Sequence, residues 1–139
     1  MANLIYTKAR EAFLSAGISL PGDDIRVVLI DTGGYTVNGA THQFLSDIPT
    51  PARVATSGAL TGKSVTDGVF DAADVTFSAL GGASVEAIIL YKHTGTASTS
   101  RLIAYIDTSA GSGITFVPNG GDLTLRWSDG ANKIFRLLQ

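Results

Sequence analysis

A carboxylate stands at the end of an apolar run in Leu29-Ile30-Asp31-Thr32-Gly33, directly ahead of a glycine turn. When a pair of such carboxylates meets, they share one proton, so that one works as base and the other as acid. This chain offers one Asp in that setting, and a homodimer would supply the pair. Gly58-Ala59-Leu60-Thr61-Gly62-Lys63-Ser64 has the glycines, lysine and hydroxyl of a phosphate-binding loop. That loop needs four residues between its first glycine and the Gly-Lys-Ser, however, and three stand here. Asp67, Asp71 and Asp74 lie within eight residues and could offer oxygens to calcium, yet they lack the ligand alternation and closing Glu of an EF-hand loop. His42 and His93 are the two histidines, and neither belongs to a close pair that would put two ligands on one metal. Without cysteine there is no thiol nucleophile, disulfide or zinc-thiolate site.

Asp-Thr-Gly after an apolar strand resembles the catalytic loop of retroviral-type aspartic proteases. Those enzymes brace the loop with a later apolar pair, a glycine and a helix. The last third of this chain instead holds strand-like runs and ends Arg136-Leu137-Leu138-Gln139. No Gly-x-Ser-x-Gly elbow for a serine nucleophile occurs. The plainer reading of residues 31–35 is a strand end and a glycine-rich turn. The sequence is therefore expected to have no catalytic residue, no cofactor and no metal, with a homodimeric aspartic protease using Asp31 as the lesser alternative.

The elements that would hold these residues are mostly strands. Residues 4–16 place Ile5, Ala9, Ala12, Phe13 and Ala16 on one stripe, with Lys8, Arg10 and Glu11 off it, which predicts one amphipathic helix. Asn3 is its candidate N-cap and Gly17 its candidate left-handed terminator. From Asp24 the hydrophobic period becomes two. Strands are expected at 25–31, 53–56, 75–79, 85–92, 101–108, 123–128 and 133–138, with weaker candidates at 68–71 and 114–117. Apolar residues on both faces of 27–30 and 101–106 call for central strands covered on each side, and a sandwich satisfies that better than an open sheet. Asp67-Gly68, Asn119-Gly120 and Asp129-Gly130 read as hairpin turns. Residues 33–51 lack strand periodicity and read as an excursion, with a short helical turn at 42–47. The small, polar loop 94–100 is expected to be a mobile tip. The whole reads as a single domain over residues 1–139, with the helix at about 4–16 and a mainly β, antiparallel sandwich at about 24–138.

Composition agrees. Apolar residues are 45% of 139 and charged ones 16%, enough to build a packed core. Ten of the twelve acidic residues are Asp, a turn and cap former, and only two are Glu, which favours helix interiors. The formal net charge is −2 and the ten basic residues are scattered, so the electrostatic footprint of a nucleic-acid partner is missing. No run approaches the length of a membrane span, and no signal-peptide pattern opens the chain. Synthesis in the cytoplasm is the expectation.

Several strings carry a resemblance over nearly the whole chain. They include Ala2-Asn3-Leu4-Ile5-Tyr6-Thr7-Lys8-Ala9, Phe44-Leu45-Ser46-Asp47-Ile48-Pro49 and Gly68-Val69-Phe70-Asp71-Ala72-Ala73-Asp74-Val75-Thr76-Phe77. Tyr91-Lys92-His93-Thr94-Gly95-Thr96, Arg101-Leu102-Ile103-Ala104-Tyr105-Ile106-Asp107-Thr108 and Asn132-Lys133-Ile134-Phe135-Arg136-Leu137 continue it. Together they resemble a family of small structural proteins of tailed phages and prophages, similar to capsid cement, or decoration, proteins of the Bordetella podophage type. The resemblance implies a jelly-roll-like fold on the outer capsid surface, bridging copies of the phage major capsid protein, with self-association as a homodimer. It brings no catalytic motif. A tail, neck or baseplate component is the alternative within the same particle. Such a protein needs adhesive surface at a sheet edge or arm. The candidates are Ala2, Asn3, Leu4, Ile5 and Tyr6 near the start, and Ile134, Phe135, Arg136, Leu137 and Leu138 near the end.

Overall fold

The computed structural model describes residues 3–109, 112–127 and 134–136. In chain order its regular elements are β1 (Leu4–Ile5), α1 (Thr7–Leu14), β2 (Ile25–Ile30), β3 (Arg53–Thr56), β4 (Ser64–Thr66), β5 (Val69–Asp71), β6 (Val75–Phe77), β7 (Ala87–Lys92), β8 (Leu102–Ile106), β9 (Thr108–Ser109), β10 (Ser112–Gly113), β11 (Leu123–Leu125) and β12 (Phe135–Arg136). The protein is mainly β, with antiparallel sheets and one helix near the N-terminus. The principal sheet has the order β1-β8-β7-β2-β3, antiparallel throughout. Three smaller sheets pair β9 with β10, β6 with β11, and β4, β5 and β12 in the order β12-β5-β4.

The three strands richest in apolar residues take the three interior places of the principal sheet. Successive side chains of a strand point to opposite faces, yet Val27, Val28, Leu29 and Ile30 are all buried, as are Ile88, Ile89, Leu90 and Tyr91, and Leu102, Ile103, Ala104 and Tyr105. Both faces of the sheet centre are therefore covered, as the runs of Val, Leu and Ile predict. Helix α1 packs against β8 and buries Ala9 and Ala12. Beyond β1, the outer edge of β8 is closed by an irregular stretch. Leu102 N–H donates to Gln43 O at 2.8 Å, and Leu45 N–H donates to Ser100 O at 2.8 Å. This is the work of the 33–51 excursion, whose single-turn helices at Leu45–Asp47 and Thr50–Ala52 bring Leu45, Ile48 and Ala52 into the core.

Several expectations are corrected. The predicted helix 4–16 is a strand, a helix and a turn, because Leu4 and Ile5 pair with Tyr105 and Ala104 of β8. Asn3 is not a helix cap. Its side-chain oxygen instead accepts from the Asp107 and Thr108 N–H groups at 2.9 and 3.0 Å, pinning the start of β1 beside β8. The left-handed residue that ends α1 is Ala16, at φ 64°, one position before Gly17. Gly17 N–H then closes the helix end on Ala12 O at 2.7 Å, the Schellman arrangement.

Asp67-Gly68 does close a hairpin, with φ of 52° and 78° and β4 paired to β5. Asn119-Gly120 does not. Leu123–Leu125 pairs back to Val75–Phe77, and Gly120 N–H donates to Leu80 O, so the segment closes a non-local ladder. Asp129-Gly130 lies outside the described residues. Of the 114–117 candidate, Phe116 makes an isolated bridge with Val85. Loop 94–100, expected as a mobile tip, is knit by its own hydroxyls: Thr94 and Thr99 hydroxyls lie 2.6 Å apart, and Ser100 Oγ donates to Thr96 O at 2.9 Å.

Candidate interaction surface

Strand β1 lies at one edge of the principal sheet, and beside it opens a groove of about 280 Å³. Asn3, Leu4 and Ile5 of the β1 segment, Arg10 of α1, Ala104 and Ile106 of β8, and Ile134 line it. Two sequence segments expected to be adhesive, separated by nearly the whole chain, thus meet at one place. Ile5 pairs with Ala104, so these two and Ile106 share a face by strand alternation. Ala104, a small residue, stands on that face opposite Ile5 and two positions before Ile106. Leu4 is held from behind by Gly39, where a Cβ would come within 3.2 Å of both Leu4 methyl carbons. Gly39 O also accepts from Thr7 N–H at 2.8 Å, fixing where the strand turns into the helix.

Tyr6 is corrected from surface to core, for it is fully buried. Its hydroxyl lies 3.0 Å from that of Tyr35, which lies 2.7 Å from His42 Nδ1. Burial, and then the hydrogen bond to Tyr35, pushes the Tyr6 hydroxyl well above the ordinary tyrosine range. The backbone of Phe135 and Arg136 pairs with Phe70 and Val69 of β5, and Ile134 before them is buried and lines the groove. Ala2, Leu137 and Leu138 lie outside the described residues.

The residues singled out for chemistry are dispersed. Asp31 follows a register shift between Leu29 and Ile30, and its Oδ1 accepts from Gly33 N–H at 2.9 Å, closing the turn on itself. Next to it, Glu86 accepts from Thr32 N–H at 3.0 Å and from the Thr32 hydroxyl at 3.1 Å. The Ser84 hydroxyl, followed by Thr32, holds the Glu86 carboxyl below the usual range. Glu86 also lines a second cavity of about 280 Å³ with Thr32, Tyr105, Asp107 and Thr108. Burial, with Asp107 alongside, pushes the Tyr105 hydroxyl up to about 12.

Lys63 of the glycine-rich loop donates its ammonium to Asp23 O, so that loop anchors a neighbouring turn. Asp67 sits in the hairpin turn, Asp71 opposite Ser64, and Asp74 accepts from Trp127 N–H at 3.1 Å. Among the described residues no group of three or more His, Asp or Glu could hold a metal. Among them, too, no helix is long and apolar enough to cross a membrane. His93 packs edge-on against Tyr91, their ring centroids 6.1 Å apart.

Sequence reasoning missed Arg10, Ala104 and Ile106 as groove residues, because pairing β1 with β8 is what gathers them. It also missed the Tyr6, Tyr35 and His42 chain, whose members come from two separate segments, the start of the chain and the 33–51 excursion. A tyrosine in the polar excursion 33–51 was the available signal for that chain.

No known family model matches this chain, and a comparison with curated proteins finds no match. The family resemblance therefore rests on the strings quoted above.

Proposed function

We propose that this chain is a virion structural protein of a tailed phage, a capsid cement protein that binds the outer surface of the expanded shell and bridges major capsid proteins. One observation supports an adhesive role most: Asn3, Leu4 and Ile5 and the distant Ile134 converge on a single groove at a sheet edge. The string resemblance supplies the phage setting, and with it a jelly-roll-like sandwich and pairing of two copies as part of the same proposal. The role is one of binding and needs no catalytic step. A cement protein that binds the expanded shell more tightly than the unexpanded one opposes reversal of expansion by the difference in binding free energy. Many modest contacts per particle add through avidity.

Quantitative mass spectrometry of purified virions from a phage encoding this chain tests the reading. A copy number near a simple fraction of the major capsid protein supports it. A few copies per particle would assign the chain to tail, neck or baseplate, and absence from particles would overturn a structural role.

A further inference from the structure

We infer that the β1 edge accepts an extended protein segment carrying a carboxylate beside apolar side chains. The inference deepens the adhesive role proposed above by naming the chemistry of what this edge receives. The backbone register sets the geometry. Tyr6 N–H donates to Ile103 O at 3.0 Å, so Tyr6 and Ile103 form a hydrogen-bonded antiparallel pair. Such pairs alternate with pairs whose backbone groups point away. Leu4, opposite Tyr105, therefore faces β8, while Ile5, opposite Ala104, turns its N–H and C=O to the open side. Among the described residues neither group of Ile5 has a hydrogen-bond partner. One residue's donor and acceptor, aimed outward along a sheet edge, are what an added strand engages.

The side chains specify the rest. Ile5, Ala104, Ile106 and Ile134 line the groove with apolar side chains, and among the described residues the one charge on the lining is Arg10. Arg10 is exposed and has no ion-pair partner among the described residues, whereas Lys8, two positions before it, is already paired to Glu11 at 3.2 Å. Charge complementarity thus calls for a carboxylate next to the apolar side chain that enters the groove. The volume of about 280 Å³, at the low end of the roughly 300–1,000 Å³ of small-molecule pockets, has room for one or two side chains of a docked strand.

The test titrates the full, ¹⁵N-labelled chain with three seven-residue peptides: alternating valine and aspartate, alternating valine and lysine, and the acidic peptide with its backbone nitrogens methylated. The acidic peptide is expected to shift the Asn3, Ile5 and Arg10 amides and to bind about fivefold more tightly than the basic one, the size of a partly exposed ion pair. Methylation should abolish these shifts by removing the donors. Arg10→Glu, at an exposed position, should reverse the charge preference. Shifts elsewhere, equal binding of both charges, survival of binding after methylation, or no shift at millimolar peptide would each overturn the inference. Those results leave the virion copy number untouched, so the strand-acceptor site and the cement role can fail separately.

Discussion

Removing the middle hydroxyl of the Tyr6, Tyr35 and His42 chain, whose two tyrosines are buried, should cost more than removing its end, and removing both should cost less than removing the middle alone. The order follows from proton direction. Asn38 N–H donates to His42 Nδ1 at 3.2 Å, so Nδ1 carries a lone pair and can only accept. Tyr35 must then donate its hydroxyl to Nδ1, and Tyr6 must donate its own to the Tyr35 oxygen. In Tyr6→Phe every remaining donor keeps its acceptor, and the loss is one neutral hydrogen bond, about 1 kcal/mol. In Tyr35→Phe the bond to His42 is lost, about 1 kcal/mol, and the fully buried Tyr6 hydroxyl is stranded, a further cost of about 1–3 kcal/mol. The double variant removes the stranded donor as well, and two apolar rings of the same shape face each other. Its cost should be about 1–2 kcal/mol, below that of Tyr35→Phe. Urea unfolding of the four proteins measures this cycle. With a slope of about 2 kcal/mol per molar, Tyr35→Phe lowers the midpoint by about 1–2 M while the slope stays unchanged. A double variant costing the sum of the singles, or Tyr6→Phe costing more than Tyr35→Phe, would refute the assigned proton direction.

Three further predictions concern the same histidine, the end of α1 and the depressed carboxylates. Ring ¹⁵N shifts of His42 in mildly alkaline solution should show the tautomer protonated on Nε2, since Nδ1 accepts from Asn38; a proton on Nδ1 would contradict the geometry. Ala16→Gly relieves a left-handed alanine at the end of α1 and should raise stability by about 0.5–1 kcal/mol, read as a melting point about 2–4 °C higher. Asp24, Asp47 and Glu86 all lie below the ordinary carboxylate range. Arg26 lowers Asp24; for Asp47 the burial that raises it is outweighed by the Gln43 and Phe44 N–H groups; Ser84 and Thr32 lower Glu86. Groups depressed in the folded state contribute stability above about pH 4 and lose it as the pH falls through their folded values. Melting temperature should therefore drop on the acid side of pH 4, and Asp47→Asn should flatten that drop; an unchanged acid limb would count against it.

What was legible in the sequence was whatever depends on local pattern. Continuous apolar runs at 27–30 and 102–106 announced strands buried on both faces, and β2 and β8 lie inside the sheet, where both faces of such runs are covered. Asp67-Gly68 announced its hairpin because both residues adopt positive φ at little cost. Tertiary structure decided what depends on partners far along the chain. Residues 4–5 were expected to open the helix but form a strand, since Leu4 and Ile5 take places opposite Tyr105 and Ala104 of β8, partners that no local pattern announces. Asn119-Gly120 looks like a hairpin but serves a ladder between 75–85 and 116–125. The groove was half legible: Asn3, Leu4, Ile5 and Ile134, which the sequence marks as candidates for an adhesive surface, line it. That they line one groove with Arg10, Ala104 and Ile106, while Tyr6 turns inward to Tyr35, was settled only when the sheet fixed its register and assigned each neighbour to a face.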